Sequence, residues 1–291
     1  MTQHHESAGQ HVTGEALYVH DRALRVPTAV HGWPVQSAHA HARVLRIDAR
    51  RARAMPGVRA VLTGEDVRGA HRIGPVRHDE PLFPDEVEYH GQPVCWVFAD
   101  SEAEARAAAA AVTVDYEPLP AVLTIGQAIE AGSFLTDPQT IATGDADGAL
   151  AACEYTFAGE LHIGGQEHFY LEMQAAFVHR DPSGGCHVHA STQHPTETQQ
   201  TVAHVLGIGA NQVVCECLRM GGAFGGKESQ ANGIAAIAAL GCAATGRPAS
   251  VRLDRPRDMS ITGKRHTFLA RYAAGFGRDG RLRALRVQLF S

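Results

Sequence analysis

The stretch Arg219-Met220-Gly221-Gly222-Ala223-Phe224-Gly225-Gly226-Lys227-Glu228 follows a strand-like run at 213–219 and precedes a long small-residue segment at 229–245. Four of the six residues from 221 to 226 are glycine. Without a Cβ, such a backbone can turn sharply or approach a ligand closely. The segment after it reads as a helix closed by Gly246, with Pro248 just beyond. A helix starting there would aim free N–H groups and its positive dipole end at an anion. A tight strand-to-helix turn without a ligand is the plain alternative, but a turn needs fewer glycines.

Gly221-x-x-x-x-Gly226-Lys227 also satisfies the phosphate-binding loop pattern up to its last position. That position should be Ser or Thr, whose hydroxyl binds magnesium. Glu228 stands there instead, and its carboxylate would repel nucleotide phosphates. An ATP-binding loop is disfavoured on that ground.

Outward from the loop, residues 195–206 read as a helix with Pro195 in its first turn. Residues 154–163, 173–180, 185–190, 249–253 and 281–290 read as strands, by alternation or β-branched content. In the first half, a helical stretch at 49–55 stops at Pro56-Gly57, and strands follow at 58–63, 94–99 and 112–116. Ser101 and Glu104 form a capping-box signature ahead of the alanine-rich run at 105–111. Gly132, Pro138, Gly144 and Gly148 punctuate a less regular part. The expected architecture is α+β: an amino-terminal domain over 1–122, a connecting segment over 123–150 and a second α+β domain over 151–291. Residues 287–291 stop inside an alternating pattern, so the second domain is expected to be incomplete at its C-terminus.

Hydrophobic residues make up 44% and charged residues 20% of the chain, a balance that supports a folded globular protein rather than disorder. The net charge is −5 and the basic residues are scattered, which excludes the footprint of a nucleic-acid binder. No run approaches the roughly 20 apolar residues of a membrane helix, and the polar amino terminus has no apolar signal core. A cytoplasmic protein is expected. Cys95, Cys153, Cys186, Cys215, Cys217 and Cys242 form no C-x-x-C pair and read as reduced thiols. His39/His41 and His187/His189 are H-x-H pairs without a third ligand of the usual spacing. No direct side-chain ligation of a metal is therefore expected.

Two further motifs pack polar groups densely: Gly164-Gly165-Gln166-Glu167-His168-Phe169-Tyr170-Leu171-Glu172 and Ser191-Thr192-Gln193-His194-Pro195. Together with the 219–228 loop, in this order and spacing, they resemble the molybdenum hydroxylase family. Within it, the molybdenum-cofactor-binding subunit of xanthine dehydrogenases is the most similar. Residues 14–19 and 258–272 extend the likeness over nearly the whole chain.

The resemblance implies a small amino-terminal α/β hammerhead-like domain followed by the first part of a molybdopterin-binding α+β domain. It implies a molybdenum–molybdopterin cofactor, free or in its dinucleotide form. The implied reaction hydroxylates purines (hypoxanthine and xanthine to urate) with oxygen from water. Electrons would pass to 2Fe-2S clusters and FAD in a partner subunit, and on to NAD. Gln166 matches the glutamine that hydrogen-bonds the apical oxygen on molybdenum, and Phe224 and Gly225 match the pair whose backbone lies against the metal site. Glu228 matches the glutamate that contacts the purine, a carboxylate expected to be buried. The family's general-base glutamate, a substrate-binding arginine and the aromatics that sandwich the purine lie after position 291. The chain alone is thus expected to be inactive, lacking the carboxy-terminal part of the same subunit, and poorly soluble. An aldehyde or other N-heterocycle hydroxylase of the same family, or a non-catalytic split-gene remnant, are the alternatives.

Overall fold

The structure, a computed structural model, describes residues 7–74, 80–182 and 184–291. Residues 1–6 of the polar amino terminus lie outside the described residues. The chain begins with α1 (Ala8–Thr13), α2 (Val19–Leu24), β1 (Val30–Gln36), β2 (Ala42–Asp48), α3 (Arg50–Arg53) and β3 (Val58–Leu62). β4 (Glu86–Val87), β5 (Pro93–Ala99), α4 (Glu102–Ala109) and β6 (Thr113–Pro118) follow. Next come α5 (Ile125–Ala131), α6 (Ala146–Ala151), β7 (Tyr155–Ile163), β8 (Ala175–Arg180), β9 (Cys186–Ala190) and α7 (Pro195–Leu206). β10 (Val213–Glu216), α8 (Gln230–Thr245), β11 (Ala249–Arg252), α9 (Arg255–Ile261), β12 (Phe268–Phe276) and β13 (Leu282–Phe290) complete it.

Contacts divide the chain into two units, one of residues 1–120 and 168–263, the other of residues 121–167 and 264–291. The first unit is built on a seven-stranded sheet of order β10-β9-β8-β11-β1-β5-β3. Its β1–β11 pair is parallel, Val30 opposite Ala249. Strands from both sides of residue 122 thus share one sheet. One edge of β1 finds its partner in β11, a long-range pairing that local patterns do not encode. A smaller sheet, β4-β2-β6, belongs to the same unit.

β5 shows why two cores form. Its residues are buried on both faces, as a continuous apolar strand in a covered sheet should be. Trp96 and Phe98 point into the core shared with α7 and α8. Val97 and Ala99 point the other way, toward Ala52 of α3 and Ala105 and Ala108 of α4. Ser101 accepts a hydrogen bond from the Glu104 N–H at 3.2 Å and donates its own hydroxyl to the Glu104 carboxylate at 2.8 Å. The expected cap is present, although the carboxylate is bound by the hydroxyl.

The connecting segment holds two helices rather than loop alone. Thr124 and Gln127 cap α5 reciprocally, each side chain accepting from the other's backbone N–H at 3.2 Å. The second unit's sheet is antiparallel, of order β13-β12-β7. Register places Leu161 opposite Ala270 and Ala270 opposite Leu289; Gly159, Tyr272 and Val287 form the next row on that face, and Phe157, Ala274 and Leu285 the one after. Cross-strand neighbours share a face, so these rows make one apolar face, and Phe157, Leu161, Leu285, Val287 and Leu289 are all exposed. An open apolar patch of this kind drives association. We expect the chain on its own to self-associate, and Leu161→Lys with Val287→Lys to shift it toward monomer in sedimentation analysis.

The ring of Phe98 fills the space left by two glycines. A Cβ on Gly32 of β1 would fall 2.8 Å from the ring, and one on Gly241 of α8 would fall 2.3 Å from it. Alanine favours a helix over glycine by about 1 kcal/mol, but overpacking costs about 1–3 kcal/mol, and the contact here is severe. Gly241→Ala should lower stability by about 1–2 kcal/mol in urea unfolding, against its helix propensity.

Candidate active site

β10 ends at Glu216, and the loop carrying the glycine motif leads from it to α8. The loop turns where the Gly226 N–H donates to the Ala223 carbonyl at 2.8 Å. Gly222 and Gly225 have φ of +90° and +91°, a region that glycine enters without penalty. Gly226 is required by packing: a Cβ there would meet the His168 ring at 2.7 Å and Tyr170 at 2.8 Å.

Lys227 holds the loop from within. Its side chain is fully buried, and its ammonium donates to the Glu172 carbonyl at 2.6 Å and to Ser191 Oγ at 2.8 Å. The Glu172 carboxylate lies 3.4 Å away, and the ammonium sits 4.5 Å from the Tyr170 ring centre. Burial pulls the lysine down from its ordinary value, and Glu172 partly restores it. The same carboxylate accepts from the Ser191 hydroxyl at 2.7 Å and from the Gly221 N–H at 2.8 Å. With its amine committed to these oxygens, Lys227 cannot serve phosphates, which removes the phosphate-binding loop reading.

Gln193 fixes the other end of the loop. Its Oε1 accepts from the N–H groups of Gly225, at 3.0 Å, and Lys227, at 3.2 Å. Beneath lies a second buried network. The Tyr170 hydroxyl donates to Asp258 at 2.7 Å, the Gln174 N–H donates to the other Asp258 oxygen at 2.7 Å, and the Gln174 amide donates to the Gly226 carbonyl at 2.8 Å. Burial and then the Asp258 carboxylate hold the Tyr170 phenol well above its ordinary value. Arg219 ties in the segment near the amino terminus by donating to the Leu17 carbonyl at 2.7 Å.

Phe169 and Phe224 are the non-glycine residues at positive φ among the described residues, at 49° and 55°. For bulky side chains this is a genuine outlier, costing on the order of 1–3 kcal/mol. Both rings are exposed, at 64% and 76%. The Arg255 guanidinium stacks 4.8 Å from the Phe169 ring centre and donates to the carbonyls of Tyr170 and Leu171.

The sequence-derived site residues fall as follows. Phe224, Gly225 and Glu228 lie on this loop in the first unit, all exposed. Glu228 is exposed within this chain, which spans only part of its relatives' length. Gln166 lies in the second unit and is exposed. Its backbone exchanges hydrogen bonds with Arg265 at 3.0 and 3.2 Å, and its Oε1 accepts from Arg265 at 3.4 Å, which leaves the NH₂ as donor. Its neighbour Glu167 pairs with Lys264 at 2.7 Å. Sequence reasoning missed Lys227, Glu172, Gln174 and Asp258 as the loop's support. All four sit in or beside segments singled out in the sequence, but nothing local marks which polar side chains turn inward.

Residues 131–291 match the molybdopterin cofactor-binding domain family, and residues 13–120 match the aldehyde oxidase and xanthine dehydrogenase a/b hammerhead domain. The chain belongs to the molybdopterin cofactor-binding domain family. It is 40% identical over 288 residues to a xanthine dehydrogenase of Dictyostelium discoideum, and 38% identical over 288 residues to aldehyde oxidase 2 of Cavia porcellus. These matches take in 99% and 98% of the chain but 21% of each relative. The chain thus spans about a fifth of the length of the curated relatives it matches. The aldehyde oxidoreductase of Desulfovibrio gigas matches in structure with a TM-score of 0.88 and 31% identity, over 98% of this chain and 33% of that one. The hammerhead-like and cofactor-binding order expected from the sequence therefore holds.

The loop fits a family cofactor. A Cβ on Gly225 would meet nothing closer than His168 Nε2 at 4.0 Å. The side of Gly225 where a side chain would project is therefore open, as close backbone approach of such a group would require.

Removing one member of a buried charge pair leaves the other uncompensated. Lys227→Ala should destabilise the protein by about 3–5 kcal/mol in denaturant unfolding. The double variant Lys227→Met with Glu172→Gln should recover part of that loss, since no buried charge is left unpaired.

Proposed function

We propose that this chain supplies part of the active site of a xanthine dehydrogenase-type molybdenum hydroxylase acting on purines. The observation that carries the reading is the loop itself: an exposed Phe224-Gly225 peptide and an exposed Glu228 on a backbone locked by the buried Lys227 network. Its place in a chain 40% identical to xanthine dehydrogenases supports the purine substrate. When bound, the molybdenum–pterin group supplies the oxidising centre that hydroxylates a carbon next to a ring nitrogen, its electrons leaving through iron–sulfur clusters and FAD in a partner chain to NAD.

Phe224 and Gly225 would hold that group by close backbone approach. Gln166 would donate a hydrogen bond to it from an uncharged amide, orienting it without adding charge. Glu228 would bind the purine through its ring nitrogens and share a proton with it, stabilising charge that develops in the heterocycle. Enclosure of Glu228 by substrate and by the rest of the longer protein would strengthen that interaction as water leaves.

A second reading is favoured by the likeness to aldehyde oxidase 2 and to the aldehyde oxidoreductase: an aldehyde or other N-heterocycle would be the substrate. The two readings separate on substrate profiling of the complete enzyme complex. In that complex, Glu228→Ala should lower kcat/KM for xanthine on the order of a hundredfold while sparing cofactor content. Normal xanthine turnover by the variant would remove the purine role.

A further inference from the structure

We propose a zinc-class metal site on the seven-stranded sheet, with His179, His187 and His189 as ligands and Glu216 as the group that orients them. The H-x-H pair at 187 and 189 lacks a third ligand in local sequence, and the fold provides one. β8 and β9 pair with His179 opposite His187, and β9 and β10 pair with His189 opposite Glu216. Residues two apart on a strand share a face, so three strands deliver the four side chains to one place.

One ring nitrogen from each of the three histidines lies within 4.8 Å of the others. The rings of His187 and His189 stack at 4.5 Å, and that of His179 lies 5.1 and 5.6 Å from them. A tetrahedral zinc ion with bonds of about 2.0–2.1 Å would draw these nitrogens closer together.

Two of the second nitrogens are already engaged as a metal site requires. His179 Nδ1 lies 3.1 Å from the Arg180 carbonyl, and His189 Nδ1 lies 2.8 Å from the Glu216 carboxylate. Each contact fixes the tautomer with Nε2 bearing the lone pair. His187 Nε2 is a buried atom with no hydrogen-bond partner, and it lies 3.6 Å from Glu216. An orphaned imidazole nitrogen beside two oriented ones is costly unless something binds it. Arg22 acts on His189 from α2 and opposes a cation, while Glu216 offsets it. Imidazole donors with one carboxylate nearby suit zinc and its borderline neighbours rather than calcium or magnesium. A fourth position would fall to water.

Zinc chloride titrated calorimetrically into the full, chelator-treated chain tests this. One equivalent should bind, and His187→Gln or His179→Gln should weaken it at least tenfold. Glu216→Gln should weaken it about 10- to 100-fold without abolishing it. A His4→Gln/His5→Gln control should bind as the wild type does, which separates the site from the amino-terminal histidines. Cobalt(II) chloride should give tetrahedral d–d absorption in the wild type, a readout that stands even if a variant misfolds. No stoichiometric zinc binding, binding that survives His187→Gln, or an octahedral cobalt spectrum would overturn the site.

Discussion

The Lys227 ammonium lies wholly inside the protein, where an unpaired charge would cost several kcal/mol. Three oxygens meet it: the Glu172 carbonyl, the Ser191 hydroxyl and the Glu172 carboxylate. These come from segments far apart in sequence, so satisfying one charge forces the 172, 191 and 227 regions into a single arrangement. Glu172 then reaches back to the Gly221 N–H, and Gln193 takes the N–H groups of Gly225 and Lys227. The glycine loop has the freedom of four glycines, and this network removes it. A loop with that composition and no internal anchor would sample many conformations; here Glu172 and Gln193 hold the N–H groups of Gly221, Gly225 and Lys227 from two sides.

Such over-determination explains how two phenylalanines sit at positive φ. Phe169 flanks Tyr170, whose hydroxyl is fixed by Asp258, and Phe224 flanks Gly225, whose N–H is fixed by Gln193. Neither ring gains burial from its strained backbone, since both are exposed. The strain is therefore not recovered by burial within this chain, although Arg255 stacks on the Phe169 ring. Residues kept in such conformations cluster where a ligand is presented, which agrees with an outward-facing Phe224-Gly225 peptide backed by a buried network.

Local grammar in the sequence resolved much of the fold. The helix from Pro195 to Leu206, the helix closed by Gly246 and the buried strand ending at Ala99 all carry their own signals, and each forms within a residue or two of where those signals place it. What local grammar could not carry was pairing over distance. The β1–β11 pair joins strands on either side of the expected domain division, and β8 brings His179 beside an H-x-H pair that looked isolated. The site shows the same divide. Motif spacing singled out the segments containing Gln166, Phe224, Gly225 and Glu228, while the inward turn of Lys227 depended on acceptors in other segments. A glycine-lysine pair reads alike whether its amine faces a ligand or a core; only the surrounding oxygens decide.

Gln166 and Glu228 follow one physical logic in different units. Each carries the atoms proposed for ligand contact on an exposed side chain, and each has an anchored backbone: Gln166 through reciprocal bonds with Arg265, Glu228 through the buried lysine that precedes it. A polar group that must contact a reacting ligand cannot spend its hydrogen-bonding capacity inside the protein, yet it must be placed within a fraction of an ångström. Anchoring the neighbouring backbone and leaving the functional atoms open meets both demands. That is why the residues most firmly held here, Lys227, Tyr170, Asp258 and Gln174, are not those proposed for the chemistry.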